Sequence, residues 1–185
     1  MQGNGESSYR RYLEGDKEAF DQIITLYKKG LIGFIFRHVG DMDIAEDLSE
    51  DCFVELIVNP KKFKFKSNLK TYLYGIAHNK VMMYFRRNKA ASFISIEDAG
   101  ELVSSDDTSN EALKAETSEM INQALLQLPK DYRAVLHFHY FEEMPHDEIG
   151  VIMKKNAKQV YNLVFRARNA LKTILEKDGF IYEEQ

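Results

Sequence analysis

The chain has 185 residues, of which 44% are hydrophobic and 29% charged, and its formal net charge is -4. This composition supplies enough apolar surface for one or two folded cores and excludes a wholly disordered chain, while the short apolar runs exclude a membrane-spanning segment. The single cysteine, Cys52, cannot form an internal disulfide. Because the chain also begins without a signal-peptide pattern, we expect a protein of the reducing cytoplasm.

Charge is divided into blocks along the chain. No Asp or Glu occurs from Lys61 to Lys89 or from Ile149 to Leu175, and both stretches contain several Lys and Arg. Acids concentrate between Asp41 and Glu55 and again between Glu97 and Glu119. Two basic and two acidic surfaces are therefore predicted, so the mildly acidic net charge does not exclude a nucleic-acid partner.

The first part of the chain has apolar residues at three- and four-residue steps, which predicts helices. The first predicted helix runs from Asp16, its N-cap, to Val39. A second starts near Asp43 and ends at Asn59, before a proline. After a connector rich in Lys and Phe, a third helix runs from a cap at Ser67 or Asn68 to about Arg87.

The stretch 97–112 is acidic and poor in apolar residues, which predicts a flexible linker between an N-terminal domain, 1–96, and a C-terminal domain, 113–185. A helix from Leu113 to Leu128 opens the second domain, and shorter helices follow at about 131–141, 145–153 and 157–176. No useful strand-like alternation is found. The predicted fold class is all-α, with two small helical domains joined by a flexible acidic linker, the C-terminal one a helix-turn-helix.

The last predicted helix has one buried stripe and one polar face. Its polar side chains combine Gln, Asn and Arg, which bind base edges, with Lys and Arg, which bind phosphates. The residues that we expect to bind DNA are Lys155, Lys158, Gln159, Tyr161, Asn162, Phe165 and Arg166. A bundle hairpin with a solvated basic surface is the alternative, but the acid-free run coincides with this face and favours DNA binding.

The third predicted helix and the connector before it mix basic and aromatic residues. Such a composition suits binding of a single nucleic-acid strand, with Lys and Arg along its phosphates and aromatic rings stacked on its bases. The candidates are Lys61, Lys62, Phe63, Lys64, Phe65, Lys66 and Tyr74, with Tyr74 expected on the outer face of the helix. Tyr72 and Tyr84 are expected in the core instead.

The acidic block places carboxylates along one face of the second predicted helix. They include Glu46, Asp47, Glu50 and Asp51. A docking surface for a basic partner is favoured over a metal site, since no histidine is near in sequence; a solvated face is the competing interpretation. A metal hydrolase centred on His137 and His139 is a weak third hypothesis, because residues two apart in a helix point to different faces. We expect neither a metal nor a cofactor.

Several ordered motifs resemble one family. They are Ala45–Phe53, Leu69–Asn79 closing in Arg86-Arg87, Leu128-Pro129 with Arg133, Glu148-Ile149-Gly150 and Val160–Arg168. Taken together, they resemble a bacterial RNA polymerase sigma factor of the extracytoplasmic-function (ECF) group. Four positions depart from the family pattern: Tyr72 stands where Trp is usual, Met83 where Asp is common, Pro145 where Ser is frequent and Gly150 where Ala is. Because Met83 lacks the carboxylate that is common there, the minus-ten preference is expected to differ.

The resemblance implies a promoter-specificity subunit rather than an enzyme. The resemblance implies that the acidic helix docks on core RNA polymerase. It also implies that the connector and third helix, with Asn79, Arg86 and Arg87, bind and melt the minus-ten element. The helix 157–168 is then implied to bind the minus-thirty-five element. The implied partners are core RNA polymerase, promoter DNA and an anti-sigma protein, which can be membrane-bound; no small-molecule substrate is implied. The alternative is a stand-alone helix-turn-helix regulator that binds duplex DNA without polymerase.

Overall fold

The structure is a computed structural model that describes residues 5–88, 120–177 and 179, and these residues form helices joined by short turns. The helices are α1 (Gly5–Leu13), α2 (Glu18–Val39), α3 (Met42–Val58), α4 (Leu69–Asn88), α5 (120–127), α6 (Lys130–Leu136), α7 (His146–Met153) and α8 (Ala157–Lys177). A 3-10 turn, Pro60–Lys62, follows α3, and α6 continues as a π-helical turn, His137–Phe141. The all-α prediction is confirmed. The predicted linker, 97–112, and the start of the helix predicted from Leu113 lie outside the described residues.

Side-chain caps fix the starts of the N-terminal helices. Asp16 Oδ1 accepts a hydrogen bond from Ala19 N at 3.2 Å, and Asn68 Oδ1 accepts one from Thr71 N at 2.6 Å. Both residues were predicted as caps. The helix expected to start near Asp43 starts at Met42, because Asp41 serves as its N-cap.

Helix α1 was not predicted from the sequence. It is short and largely polar, and it is held by one buried aromatic residue, Tyr9. The Tyr9 hydroxyl donates a hydrogen bond to Leu56 O at 3.1 Å, and its ring packs edge-on against Phe63 with 5.7 Å between centroids. Tertiary packing therefore stabilises a short helix that has few apolar residues of its own.

The N-terminal core lies between α1, α2, α3 and α4. Cys52 is fully buried in it, and its thiol donates to Leu48 O at 3.1 Å. Burial raises the pKa of the Cys52 thiol to about 12, so the side chain behaves as the small buried hydrophobe that the sequence predicted.

A tight turn joins α7 to α8 in the helix-turn-helix. Lys154 adopts the left-handed conformation, with φ of 55°, and Lys155 N donates to Gly150 O at 3.0 Å. A Cβ atom on Gly150 would overlap the backbone oxygen of Lys155. The close approach of this turn explains why glycine stands where the family resemblance leads one to expect alanine.

The N-terminal and C-terminal halves pack directly against each other, which the sequence did not predict. Phe34 of α2 stacks on Phe138 of the π-helical turn with 4.9 Å between centroids, and Tyr74 of α4 meets Phe138 edge-on at 6.0 Å. Gly30 of α2 makes room for this contact, since a Cβ atom there would overlap the Tyr74 hydroxyl. One continuous apolar core therefore spans both halves.

Candidate nucleic-acid and protein interfaces

Helix α8 presents a long exposed face beside its buried stripe. The stripe consists of Val160, Leu163, Val164 and Ala167, which pack inward. The opposite face carries the exposed residues that the sequence singled out: Lys158, Gln159, Tyr161, Asn162, Phe165 and Arg166. Lys155 is half-buried, with its Nζ 3.9 Å from an oxygen of Asp131. A helix of this length and exposure has the dimensions of a recognition helix in the major groove.

The first turn of α8 is closed by a reciprocal capping box. Asn156 Oδ1 accepts from Gln159 N at 2.9 Å, and Gln159 Oε1 accepts from Asn156 N at 2.9 Å. The Gln159 carbonyl oxygen is therefore engaged by the backbone, and its amide NH2 group is the part that can donate to a base edge. From the sequence, Gln159 was predicted only to bind a base, and its role in capping α8 was not predicted.

Two aromatic side chains extend the exposed face of α8. Tyr161 is 61% exposed and Phe165 is 51% exposed. Exposed apolar rings on a recognition helix suit contact with thymine methyl groups. Arg166 is also exposed, and its Nε donates to Asn162 O at 3.3 Å.

The connector before α4 is basic but less aromatic at its surface than predicted. Lys61, Lys62, Lys64 and Lys66 are all exposed, whereas Phe63 is only 4% exposed. The Phe63 ring packs against Tyr9 and, at 4.9 Å between centroids, Tyr72. The choice of Phe63 as a base-stacking ring is contradicted by this burial, because α1, which the sequence analysis missed, covers it.

Phe65 is the more accessible of the two connector rings. It is half-buried, it has a φ of 55°, and the Arg10 guanidinium lies 4.1 Å from its ring centroid. Further along α4, Asn79, Arg86 and Arg87 are exposed. The accessible basic and aromatic groups are thus distributed along the connector and the outer side of α4.

Tyr74 does not lie on an outer face, and that expectation is wrong. Its side chain is 1% exposed, and its hydroxyl hydrogen-bonds the Glu142 carboxylate. Burial raises the pKa of the Tyr74 phenol. The reason is that Tyr74 packs against Phe34 of α2 and also against Phe138 of the π-helical turn, so both halves bury it.

The acidic residues of α3 lie on its exposed face. Glu46, Asp47, Glu50 and Asp51 are all exposed. Two of them meet lysines of neighbouring helices, with Glu50 Oε1 3.7 Å from Lys28 Nζ and Asp51 Oδ2 3.1 Å from Lys80 Nζ. Such exposed pairs contribute little stability, so these carboxylates can exchange their partners at small cost.

An exposed apolar strip lies on α3, C-terminal to the acids, and it was not predicted from the sequence. Val54 is 52% exposed, Ile57 43% and Val58 67%. Their spacing of three and four residues, visible in the sequence, places them on one side of α3. Acidic and apolar groups on one helix suit a basic amphipathic protein partner.

Within residues 5–88 and 120–177, no group of three or more His, Cys, Asp or Glu side chains is arranged to hold a metal ion. His137 is 3% exposed, and its Nε2 lies 3.3 Å from Glu142 Oε1. No helix in the described part of the chain is long and apolar enough to cross a membrane.

Comparison with known proteins gives matches over both halves. Residues 23–91 match the family model described as Sigma-70 region 2, and residues 118–171 match Sigma-70, region 4. The chain is 30% identical to the ECF RNA polymerase sigma factor SigW of Bacillus subtilis, covering 88% of this chain and 92% of that protein. It is 30% identical to RNA polymerase sigma-H factor of Pseudomonas aeruginosa, covering 90% and 91%.

Two solved structures share the fold. The sigma factor RpoE of Bartonella quintana, in complex with the anti-sigma factor NepR, matches with a TM-score of 0.70 and 22% identity, covering 85% of this chain and 96% of that chain. CnrH in complex with the cytosolic domain of CnrY matches with a TM-score of 0.69 and 18% identity, covering 96% and 98%. The family models that match both halves and the two relatives at 30% identity do not favour the stand-alone regulator. The chain belongs to the ECF group of the sigma-70 family, the subunits with which RNA polymerase recognises promoters.

Proposed function

We propose a division of labour among three surfaces of this sigma factor. The acids and apolar strip of α3 dock on core RNA polymerase, the connector and α4 bind the minus-ten element, and α8 binds the minus-thirty-five element. The observation that carries the proposal is the exposed face of α8, where amide, guanidinium and aromatic groups lie together on a helix of a helix-turn-helix. The protein-docking acids lie on a different helix, α3, so both contacts can be made at once.

Contact with core polymerase is assigned to Glu46, Asp47, Glu50 and Asp51, which are exposed carboxylates on one helix. Their existing ion pairs are exposed and weak, so a basic partner surface can replace the lysines. The neighbouring strip of Val54, Ile57 and Val58 adds apolar area to the same surface. Charge then steers the encounter while apolar burial slows dissociation.

Contact with the minus-ten element is assigned to the exposed lysines of the connector, to Phe65, and to Asn79, Arg86 and Arg87. Lysines neutralise phosphates, and an aromatic ring stacked on an extruded base contributes about 1–3 kcal/mol. Phe63 and Tyr74 are left out of this assignment, because both are buried in the described conformation.

We further propose that the protein acts by recognition alone, without catalysis, cofactor or small-molecule substrate, and that it works in the cytoplasm. An anti-sigma protein is proposed as a third partner, because RpoE, a chain of the same fold, was solved with the anti-sigma factor NepR. CnrH, also of this fold, was solved with the cytosolic domain of CnrY. CnrY enters its complex as a cytosolic domain, which motivates the proposal of a membrane-bound partner.

The experiment that tests these assignments is promoter-dependent run-off transcription with core RNA polymerase, combined with a direct measurement of core binding. We expect Asp47→Lys with Glu50→Lys to weaken core binding, and Arg166→Ala with Gln159→Ala to change promoter choice while core binding stays intact. Matched controls are Glu18→Lys with Asp21→Lys, which reverse acids of α2, and Lys177→Ala, at the far end of α8.

The same assay separates the rival function. A stand-alone regulator would protect promoter DNA from nuclease without polymerase, whereas the proposed sigma factor needs core enzyme. Identical defects in the two sets of variants would contradict the division of surfaces. No initiation at any native promoter, together with no binding to core enzyme, would contradict the function itself.

A further inference from the structure

We propose that the contact between the two halves is a proton-sensitive latch, which separates them when pH falls below about 6.5, because three histidines are buried in or beside it. The histidines are His38 of α2, His78 of α4 and His137 of the π-helical turn. This inference does not depend on the proposed function, since it concerns the free chain.

His137 lies in the middle of the contact. It is 3% exposed, and its ring meets Phe34 edge-on with 5.1 Å between centroids and Tyr74 at 6.4 Å. Its Nε2 faces Glu142 Oε1 at 3.3 Å, while Nδ1 is buried and has no hydrogen-bond partner among the described residues. Separation of the halves would expose this ring to water.

His78 and His38 flank the contact from the N-terminal half. The His78 ring lies 6.3 Å from that of Phe138, and both of its nitrogens are buried without a hydrogen-bond partner in the described part of the chain. His38 is 2% exposed, its Nδ1 donates to Phe34 O at 2.8 Å, and its Nε2 is buried and unpartnered by any described residue. Arg133 crosses the contact to the backbone oxygen of His38 at 3.1 Å.

The charges that face the histidines are mostly positive. Arg133 of α6 faces His38, Arg37 of α2 and Lys70 of α4 face His137, and Lys154 and Lys155 of the α7–α8 turn face His78. The facing acids are Glu142, which bonds His137, and Asp131, which acts on His78. His38 is also influenced by the other two histidines, so a proton on one disfavours a proton on the next.

Burial is the main cause that lowers the pKa of each of these histidines, and that of His38 lies well below its ordinary value. The packed state therefore excludes protons that the separated state, with ordinary histidine pKa values near 6.5, would bind. The packed state has its full stability above about pH 6.5, and it loses stability as pH falls through the histidine pKa values of the separated state. Each excluded proton lowers the ratio of packed to separated molecules about tenfold at pH 5.5.

The three histidines do not contribute equally. A proton on His137 gains an ion pair with Glu142, which offsets part of its burial cost. The side chains that act most on His38 among the described residues are Arg133, His137 and His78, and the cation Arg133 opposes its protonation. His38 is therefore the principal proton-sensitive group of the latch.

The test measures the distance between the halves in the full chain as pH is lowered from 8 to 5. Dyes are attached to Lys29→Cys on α2 and Asn169→Cys on α8, both exposed positions in different halves. The native thiol, Cys52, is buried with a pKa of about 12, so it does not compete for the dye. Energy transfer should fall between about pH 6.5 and 5 while circular dichroism shows that helix content is retained.

His38→Asn keeps a donor for Phe34 O without a titratable ring, and should make the transition shallower by one proton, with His78→Asn as a second variant in case the first does not fold. Lys177→Asn is the control, since Lys177 is exposed at the end of α8, and should leave the transition unchanged. Constant energy transfer down to pH 5 would overturn the proposal. So would an NMR titration that finds His38 with an ordinary pKa in the packed chain, or a His38→Asn transition identical to that of the natural sequence.

Discussion

Lys70 and Glu142 join the two halves of the protein through a doubled contact. Lys70 Nζ lies 2.9 Å from Glu142 Oε2 and also donates to the Glu142 backbone oxygen at 2.8 Å. The Glu142 side chain is 12% exposed and receives further hydrogen bonds from His137 and Tyr74. Two helical elements, α4 and the π-helical turn, therefore converge on one carboxylate.

Removing that carboxylate charge should weaken the whole chain. Glu142→Gln removes the negative charge that pairs with Lys70 and leaves one acceptor oxygen in place of two for the donors of Lys70, His137 and Tyr74, so we expect the free energy of unfolding to fall by about 2–4 kcal/mol. Urea denaturation measures the change. Glu176→Gln is the control, since Lys172 and Glu176 form an exposed pair at 3.8 Å, and it should cost less than about 0.5 kcal/mol. Equal losses from both variants would contradict this role of Glu142.

Lowering the pH should also remove the contribution of Glu142 to the free energy of unfolding. Burial alone would raise the pKa of this carboxyl, but hydrogen bonds from His137, Tyr74 and Lys70 lower it to about 2. A carboxyl with a lowered pKa stabilises the fold above its unfolded value, about 4.3, and this stability is lost as pH falls from there towards 2. Because the latch keeps the halves packed above about pH 6.5, the difference in unfolding free energy between the natural chain and Glu142→Gln should be constant there, and it should shrink as pH falls and be lost towards pH 2. A difference that is independent of pH down to 2.5 would refute the assignment.

Arg133 should not tolerate lysine. Its buried guanidinium donates to the backbone oxygens of Leu125, Leu126, Leu128, Arg37 and His38 at 2.6–3.2 Å. A lysine ammonium has three donors at a single point and cannot span these five acceptors. We expect Arg133→Lys to lower the free energy of unfolding by about 2–3 kcal/mol, measured by urea denaturation. Arg168→Lys, at an exposed position of α8, is the matched control and should have little effect.

Gln159 should have two separable roles, in capping α8 and in promoter selection. Gln159→Ala removes the acceptor for Asn156 N and should cost about 0.5–2 kcal/mol of stability as well as changing promoter choice. Gln159→Glu keeps that acceptor but cannot donate to a base, so we expect near-natural thermal stability with altered promoter choice. Thermal unfolding and run-off transcription from a randomised promoter library measure the two effects. If Gln159→Glu kept the natural promoter preference, a role in base contact would be ruled out.

The local features of the fold could be predicted from the sequence because they depend on neighbours in the chain. The caps at Asp16 and Asn68 and the buried stripe of α8 follow from residue type and helical spacing. The burial of Tyr74 could not be predicted in this way. Whether this position of α4 is buried depends on what packs against it, and part of that packing comes from the π-helical turn of the other half.

The candidate sites divide along the same line. Exposure of the α3 acids and of the α8 face was predictable, since both sets stand opposite a periodic apolar stripe. Phe63 was misplaced because α1, a nine-residue helix that was not predicted from the sequence, covers it through Tyr9. The capping role of Gln159 was visible in principle as the Asn-x-x-Gln spacing, but residue type alone does not decide between a cap and a base contact.

The absence of a side chain at Gly30 has a consequence for how this sequence can vary. A Cβ atom there would overlap the Tyr74 hydroxyl and would lie 3.4 Å from Glu142 Oε1. Substitutions at positions 30, 74 and 142 therefore depend on one another, although these positions are far apart in the chain. Among homologues that pack their halves in this way, we expect a larger residue at position 30 to occur together with a smaller one at 74.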